Sequence, residues 1–199
     1  MKTYLFIDGS NLFMGLVDLF GCENIPHFKN VLRDINKVQK ITKVFFYCSY
    51  MLPRDKSQKE KKLLAAEAAF YTGVKSVRGL YFYKGHRSQT SKKEKGVDVH
   101  LAIDIVKNAF LKKCDQIMIM TGDADLVYPI EIVKKLEIKT QAIFIPTRFS
   151  PGLSHEGGRT TVLNYLEKFK PENKFKKELP AKLNVMSIKM ASDASTRGK

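Results

Sequence analysis

No run in this chain approaches the roughly 18 consecutive apolar residues of a membrane span, so no transmembrane helix is expected. The first apolar run, Tyr4-Leu5-Phe6-Ile7, is stopped by Asp8. That is shorter than the roughly 7–15 residues of a secretory leader, so a mature N-terminus is expected. Cysteine is scarce. Cys22, Cys48 and Cys114 are odd in number and widely spaced, with no CxxC pair. Neither a disulfide framework nor a zinc ribbon is supported, and a reduced, cytoplasmic protein is the simplest expectation. His27, His86, His100 and His155 show no metal-ligand spacing. No internal repeat is present. The last shortage is of acid: 20 Asp+Glu face 35 Lys+Arg, a net charge of +15 over 199 residues. A charge this large repels itself in a compact chain and points to a polyanionic partner.

What remains is an alternation of short apolar runs and amphipathic stretches. Strands are predicted at residues 3–7, Val44–Cys48, Gly79–Lys84, Gln116–Met120 and Thr140–Ile145. Helices are predicted at Leu12–Phe20, 28–40, Gln58–Tyr71, Val97–Leu111, Leu126–Leu136 and Thr160–Phe169. Gly85–Lys95 holds no apolar residue and reads as a solvated loop, with His86 an exposed side chain in it. Gly157-Gly158-Arg159-Thr160 lacks the Walker pattern and reads as a plain turn. The alternation predicts an α/β fold with a mostly parallel sheet, whose strands are buried on both faces. One domain over 1–169 is expected. Residues 170–199, with 8 Lys/Arg against 3 acids, form a basic tail expected to be mobile.

Aspartates stand where the strands end. Asp8 follows the first strand, and Asp123 and Asp125 follow Gln116–Met120 in Thr121-Gly122-Asp123-Ala124-Asp125-Leu126. Asp98 opens a helix in phase with Leu101, Ala102 and Ile105, so it is expected to point toward the sheet. Singly, each reads as a helix cap. If the first and fourth strands are neighbours, all four carboxylates meet in one crevice at the strand ends. Carboxylates at about 4 Å repel by about 4 kcal/mol per pair, at an effective dielectric of about 20. An all-oxygen acidic cluster suits Mg²⁺ or Mn²⁺ rather than zinc. Such a site fits phosphodiester hydrolysis. Ser10, Asn11 and Thr121 could support it by hydrogen bonds; Asp104, six residues after Asp98, falls on another helix face, where a solvated or supporting role is as open to it as a ligand role.

The order Phe6-Ile7-Asp8-Gly9-Ser10-Asn11-Leu12, Lys95-Gly96-Val97-Asp98-Val99, Leu101-Ala102-Ile103-Asp104, Thr121-Gly122-Asp123-Ala124-Asp125-Leu126 resembles the NYN domain of the PIN-like nuclease superfamily, in its LabA-like branch. The resemblance spans roughly residues 3–167. It implies a Rossmann-like, PIN-like sheet with helices on both faces, a Mg²⁺- or Mn²⁺-dependent site and RNA as substrate. It makes Asp8, Asp98, Asp123 and Asp125 the catalytic and metal-binding set, with Asn11 in support. Thr121 and Leu126 stand where Ser and an aromatic are common in the family.

Residues 54–95 carry 12 Lys/Arg against 4 acids. Lys84, Arg87, Lys92, Lys93 and Lys95 are therefore expected to hold phosphates beside the site. The functional expectation is a ribonuclease, an endoribonuclease in class, acting on RNA with room left for DNA and for a homo-oligomer. No membrane partner is expected. Three alternatives stay open. One is a protein that binds RNA without cutting it. Another is a haloacid-dehalogenase-like phosphatase, which would need a second Asp where Ser10 stands. The last is an adhesion-type metal module, whose second Ser is replaced by Leu12.

Overall fold

A computed structural model describes residues 1–53, 55–87 and 94–162. Lys92, Lys93, the stretch after Val162 and the basic tail 170–199 lie outside the described residues, and so do the side chains of Arg87 and Lys95. Strand β1 (Thr3–Asp8) leads straight into helix α1 (Gly9–Phe20). Helix α2 (Phe28–Val38) and strand β2 (Lys43–Cys48) follow. Helix α3 (Gln58–Lys75) opens on an N-cap, in which Ser57 Oγ accepts from the Glu60 amide at 3.1 Å. Next come β3 (Tyr81–Lys84), β4 (His86–Arg87), β5 (Glu94–Lys95) and helix α4 (Val97–Phe110). The chain continues through β6 (Gln116–Met120), a 3₁₀ turn at Ala124–Leu126, α5 (Val127–Lys135), β7 (Lys139–Phe144), α6 (Pro151–Glu156) and β8 (Arg159–Val162).

The main sheet is six-stranded, in the order β3-β2-β1-β6-β7-β8, and every pairing is parallel. Alternate residues of each strand feed two apolar layers. Leu5, Ile7, Val44, Phe46, Met118 and Met120 pack under α1, α2 and α3. Phe6, Phe45, Tyr47, Ile117 and Ile119 pack under α4, α5 and α6. Burial on both faces is why these strands are continuously apolar. The three cysteines are free, with Cys48 and Cys114 buried and Cys22 half-buried. Among the described residues no helix is long and apolar enough to cross a membrane.

Three elements differ from the sequence expectation. Thr160-Thr161-Val162 is not the start of a helix but part of β8, paired with Ala142, Ile143 and Phe144 of β7. Its β-branched residues fit a pleated strand better than a helix. The predicted solvated loop begins and ends in a short antiparallel ladder, with His86 opposite Lys95 and Arg87 opposite Glu94. Helix α6 has no counterpart in the reading. Ser150 caps it and Pro151 starts it, at the position where a missing amide costs no helical hydrogen bond.

A buried polar row crosses the sheet away from the strand ends that carry the aspartates. Thr3 Oγ1 donates to Gln116 Oε1 (3.4 Å), Gln116 Nε2 to Gln141 Oε1 (3.1 Å), and Gln141 Nε2 to Thr161 Oγ1 (2.9 Å). Gln141 joins β6 to β8 through this row. The substitution Gln141→Leu leaves partners on both sides unsatisfied, each at about 1–3 kcal/mol. A drop of at least about 2 kcal/mol in urea unfolding is expected. An unchanged midpoint would show that the row contributes nothing.

Candidate active site

The strand order reverses between β1 and β6, the place where open parallel sheets build their sites. Ile7 of β1 pairs with Met120 of β6, so Asp8 and Thr121 are the next residues out on neighbouring strands. Asp8 is 6% exposed and both its oxygens are engaged. Oδ1 accepts from the Asn11 amide at 3.0 Å, capping α1. Oδ2 accepts from the Thr121 hydroxyl at 3.0 Å. Thr121 Oγ1 in turn accepts from the Asp123 amide, and Asn11 Oδ1 accepts from the Gly122 amide, both at 3.0 Å. The two strand ends are thus laced together, and Asp8, Asn11, Thr121 and Asp123 share one network.

Burial pushes the Asp8 carboxyl up to about 6, although hydrogen bonds from Asn11 and Thr121 pull it down. The charges of Asp98 and Asp123 add to the rise, so three carboxylates share one field. Asp98 itself is exposed rather than turned into the sheet. Its helix begins on the left-handed Gly96, and the stripe it buries runs Val97-Leu101-Ile105, so Asp98 stands one position beside that stripe. Asp125 is exposed too. Its amide donates to Asp123 Oδ1 at 3.0 Å, so Asp123 caps the 3₁₀ turn as Asp8 caps α1. Asp104 is committed elsewhere: its Oδ2 accepts from the buried Tyr47 hydroxyl at 2.7 Å. That bond holds α4 on β2.

Ser10 lies behind Asp8. Its hydroxyl neighbours that of Tyr71, which is also within the field of Glu67 and Asp8. Both hydroxyls are buried without a hydrogen-bonded partner among the described residues. The oxygen-only donor set and the shared negative field fit a hydrated hard cation. No three His, Cys, Asp or Glu side chains among the described residues form a preformed metal cage.

Two contributors escape the sequence reading. Glu67 is 3% exposed, and both its oxygens accept from the Met51 amide, at 3.1 and 3.0 Å. It pins the segment that leaves β2 beside the site. Its signal was phase, since it shares a helix face with Leu63, Phe70, Tyr71 and Val74. His100 stacks on Tyr83 with ring centroids 4.3 Å apart, and its Nδ1 donates to the Gly96 carbonyl at 2.7 Å. This fixes the turn that presents Asp98. Lys84 ends β3 with its ammonium 5.0 Å from the Tyr50 ring centroid.

No curated protein matches the chain. Among solved structures, a protein of unknown function, VPA0982, from Vibrio parahaemolyticus RIMD 2210633 is similar in fold. The TM-score is 0.57 at 15% identity, over 82% of this chain and 93% of that one. A pyrazinamidase/nicotinamidase from Streptococcus mutans UA159 aligns over 80% of this chain and 99% of its own. Its TM-score is 0.37 at 10% identity, too low to carry an argument. The NYN domain model matches residues 2–164, which takes in the whole sheet and every aspartate described above; the chain belongs to the NYN domain family.

Proposed function

We propose that the chain is a Mg²⁺- or Mn²⁺-dependent ribonuclease of the LabA-like branch, cutting RNA phosphodiesters internally. The observation that carries this reading is the shared field of Asp8, Asp98 and Asp123 at the reversal of strand order. The charges of Asp98 and Asp123 reach Asp8 and oppose its ionisation, in a chain of charge +15. Asp8, Asp98, Asp123 and Asp125 would hold the cation. When bound, it supplies Lewis acidity toward a water and toward the leaving oxygen. The chain's own groups then have defined tasks. Asn11 and Thr121 hold Asp8 in one rotamer. Glu67 and His100 fix the segments that flank the crevice. Lys84, with Arg87, Lys92, Lys93 and Lys95, would neutralise the phosphates on either side of the cut.

A second reading is RNA binding without cleavage. It is favoured by one observation: Asp8 and Asp123 already serve as caps, which gives them a structural duty without a metal. One experiment separates the two. Labelled RNA, RNA–DNA hybrid and DNA are incubated with the protein in Mg²⁺, Mn²⁺ or EDTA, beside Asp123→Asn. Metal-dependent cleavage of RNA, reduced by about 10²–10⁴-fold in Asp123→Asn, is expected. Cleavage that survives EDTA or the substitution would sink the nuclease reading. Binding without cleavage would select the second. Hydrolysis of a small phosphomonoester alone would point to a phosphatase.

A further inference from the structure

Tyr50 follows β2 by two residues and sits at the same end of the sheet as Asp8. Its ring meets Tyr71 edge-on, with centroids 5.2 Å apart. Tyr71 in turn lies within the field of Asp8. Two ammonium groups gather on Tyr50. Lys84 Nζ is 5.0 Å and Lys75 Nζ 5.3 Å from its centroid, and Lys75 also donates to its hydroxyl at 2.8 Å. Lys75 lies over Phe82 as well, at 4.8 Å. Both lysines are exposed, and neither has an acidic partner among the described residues.

Two like charges held around one ring, with no acid between them, repel one another. A cation–π contact at an exposed site offsets this by only about 0.5–1 kcal/mol. A phosphate does so far better, because a charge-assisted hydrogen bond is about twice as strong as a neutral one. Phosphates held by these lysines bring an unpaired base to the Tyr50 ring. Cations beside an aromatic ring are the hallmark of single-strand tracks, since stacked duplex bases offer no face to stack on. Lys84 lies on β3, two strands from β1, so about 10 Å separates it from the Asp8 strand. That distance suits phosphates flanking the bond at Asp8.

The geometry points to Lys75, Lys84 and Tyr50 as a subsite for single-stranded RNA, seating the nucleotides next to the scissile bond. This rests on the reading of the chain as a ribonuclease and adds the path of the strand, with Lys75 and Tyr50 as new members.

The test measures binding of a labelled single-stranded RNA in EDTA, against salt, with the matching duplex and DNA strand as further arms. Wild type is compared with Lys75→Ala/Lys84→Ala, Lys75→Arg/Lys84→Arg, Tyr50→Leu and the distant pair Lys112→Ala/Lys113→Ala. The first variant is expected to lose about tenfold or more in affinity. Its salt slope should be shallower by about 1.4, the value for two single-strand phosphates. The arginine pair should bind as wild type. Tyr50→Leu should lose about fivefold with the slope unchanged, because stacking releases no counterions. An equal loss in Lys112→Ala/Lys113→Ala would show bulk charge at work and overturn the subsite. So would tighter binding of the duplex than of the strand, or of the DNA strand than of the RNA strand. Wild type that cuts RNA while the lysine variant binds normally would overturn the subsite and leave the nuclease reading standing. Lysine-dependent binding without cleavage would do the reverse.

Discussion

Asp8→Asn is expected to abolish RNA cleavage, by about 10²–10⁴-fold, and at the same time to make the metal-free protein more stable at neutral pH. The two effects have one cause. The Asp8 carboxyl is raised to about 6 from 3.8, mainly by burial. Between those values the folded chain keeps a proton that the unfolded chain releases. Stability contributed by this group is therefore full below about pH 4 and falls as pH rises to about 6. The loss is about 3 kcal/mol for a shift of about two units. Asparagine carries no charge to bury. Its Oδ1 still accepts from the Asn11 amide, because asparagine caps helices as well as aspartate does. Thr121 need only turn its hydroxyl to accept from the new amide. The variant should unfold about 6–12 °C higher than wild type at pH 7.5 without metal, at about 2–4 °C per kcal/mol. The difference should vanish near pH 4. Mg²⁺ or Mn²⁺ should raise the wild-type midpoint and leave the variant's unmoved. If Asp8→Asn melts lower at pH 7.5, or responds to metal like wild type, Asp8 is a cap and nothing more.

The same residue shows how much of the site the sequence displays. Asp8 and Asp123 are legible because each ends a fully apolar run, and in a parallel sheet that end faces the crevice. The neighbouring β1 and β6 needed only the expected order. Asp98 was legible in position but not in direction. The buried stripe of its helix runs Val97-Leu101-Ile105, so a residue one position beside it turns away from the sheet although it lies near Leu101 and Ile105 in phase. Glu67 was hidden by its neighbourhood, an acid counted among basic residues although its phase placed it inward. His100 and Tyr83 are 17 residues apart, and no local spacing rule joins them.

The fold divides in the same way. Strands β1, β2, β6 and β7 announce themselves because both faces are greasy. Strand β8 does not, since Thr161 is buried by a hydrogen bond from Gln141 rather than by apolar contact. A polar pairing leaves no apolar run to read. The β4–β5 ladder is silent for a similar reason. It holds no apolar residue, and it pairs only two residues on each side.

Gly9→Ala carries the largest stability loss. In the sequence this glycine merely follows Asp8, which stops the first apolar run. Its real task is proximity, because α1 starts at Gly9 and crosses directly over β2. A Cβ there would lie inside contact distance of the Phe46 ring and 2.9 Å from the Tyr47 carbonyl oxygen. Phe46 has nowhere to go. It is fully buried, stacked on Phe82 at 5.7 Å and edge-on to Phe28 and Tyr71. The carbonyl belongs to the β2 ladder and is equally fixed. Overpacking of this kind costs about 3 kcal/mol or more, which lowers the thermal midpoint by about 6–12 °C. The displaced residue is the one after Asp8, so cleavage should fall further than the folded fraction accounts for. Phe46→Leu, combined with Gly9→Ala, makes room for the methyl and should restore part of the stability, giving a coupling energy of the order of 1 kcal/mol. Additive losses in the double variant would place the strain at the Tyr47 carbonyl instead. An unchanged midpoint in Gly9→Ala would mean that α1 can lift off β2, and with it that Asp8 is not held where the network of Asn11 and Thr121 puts it.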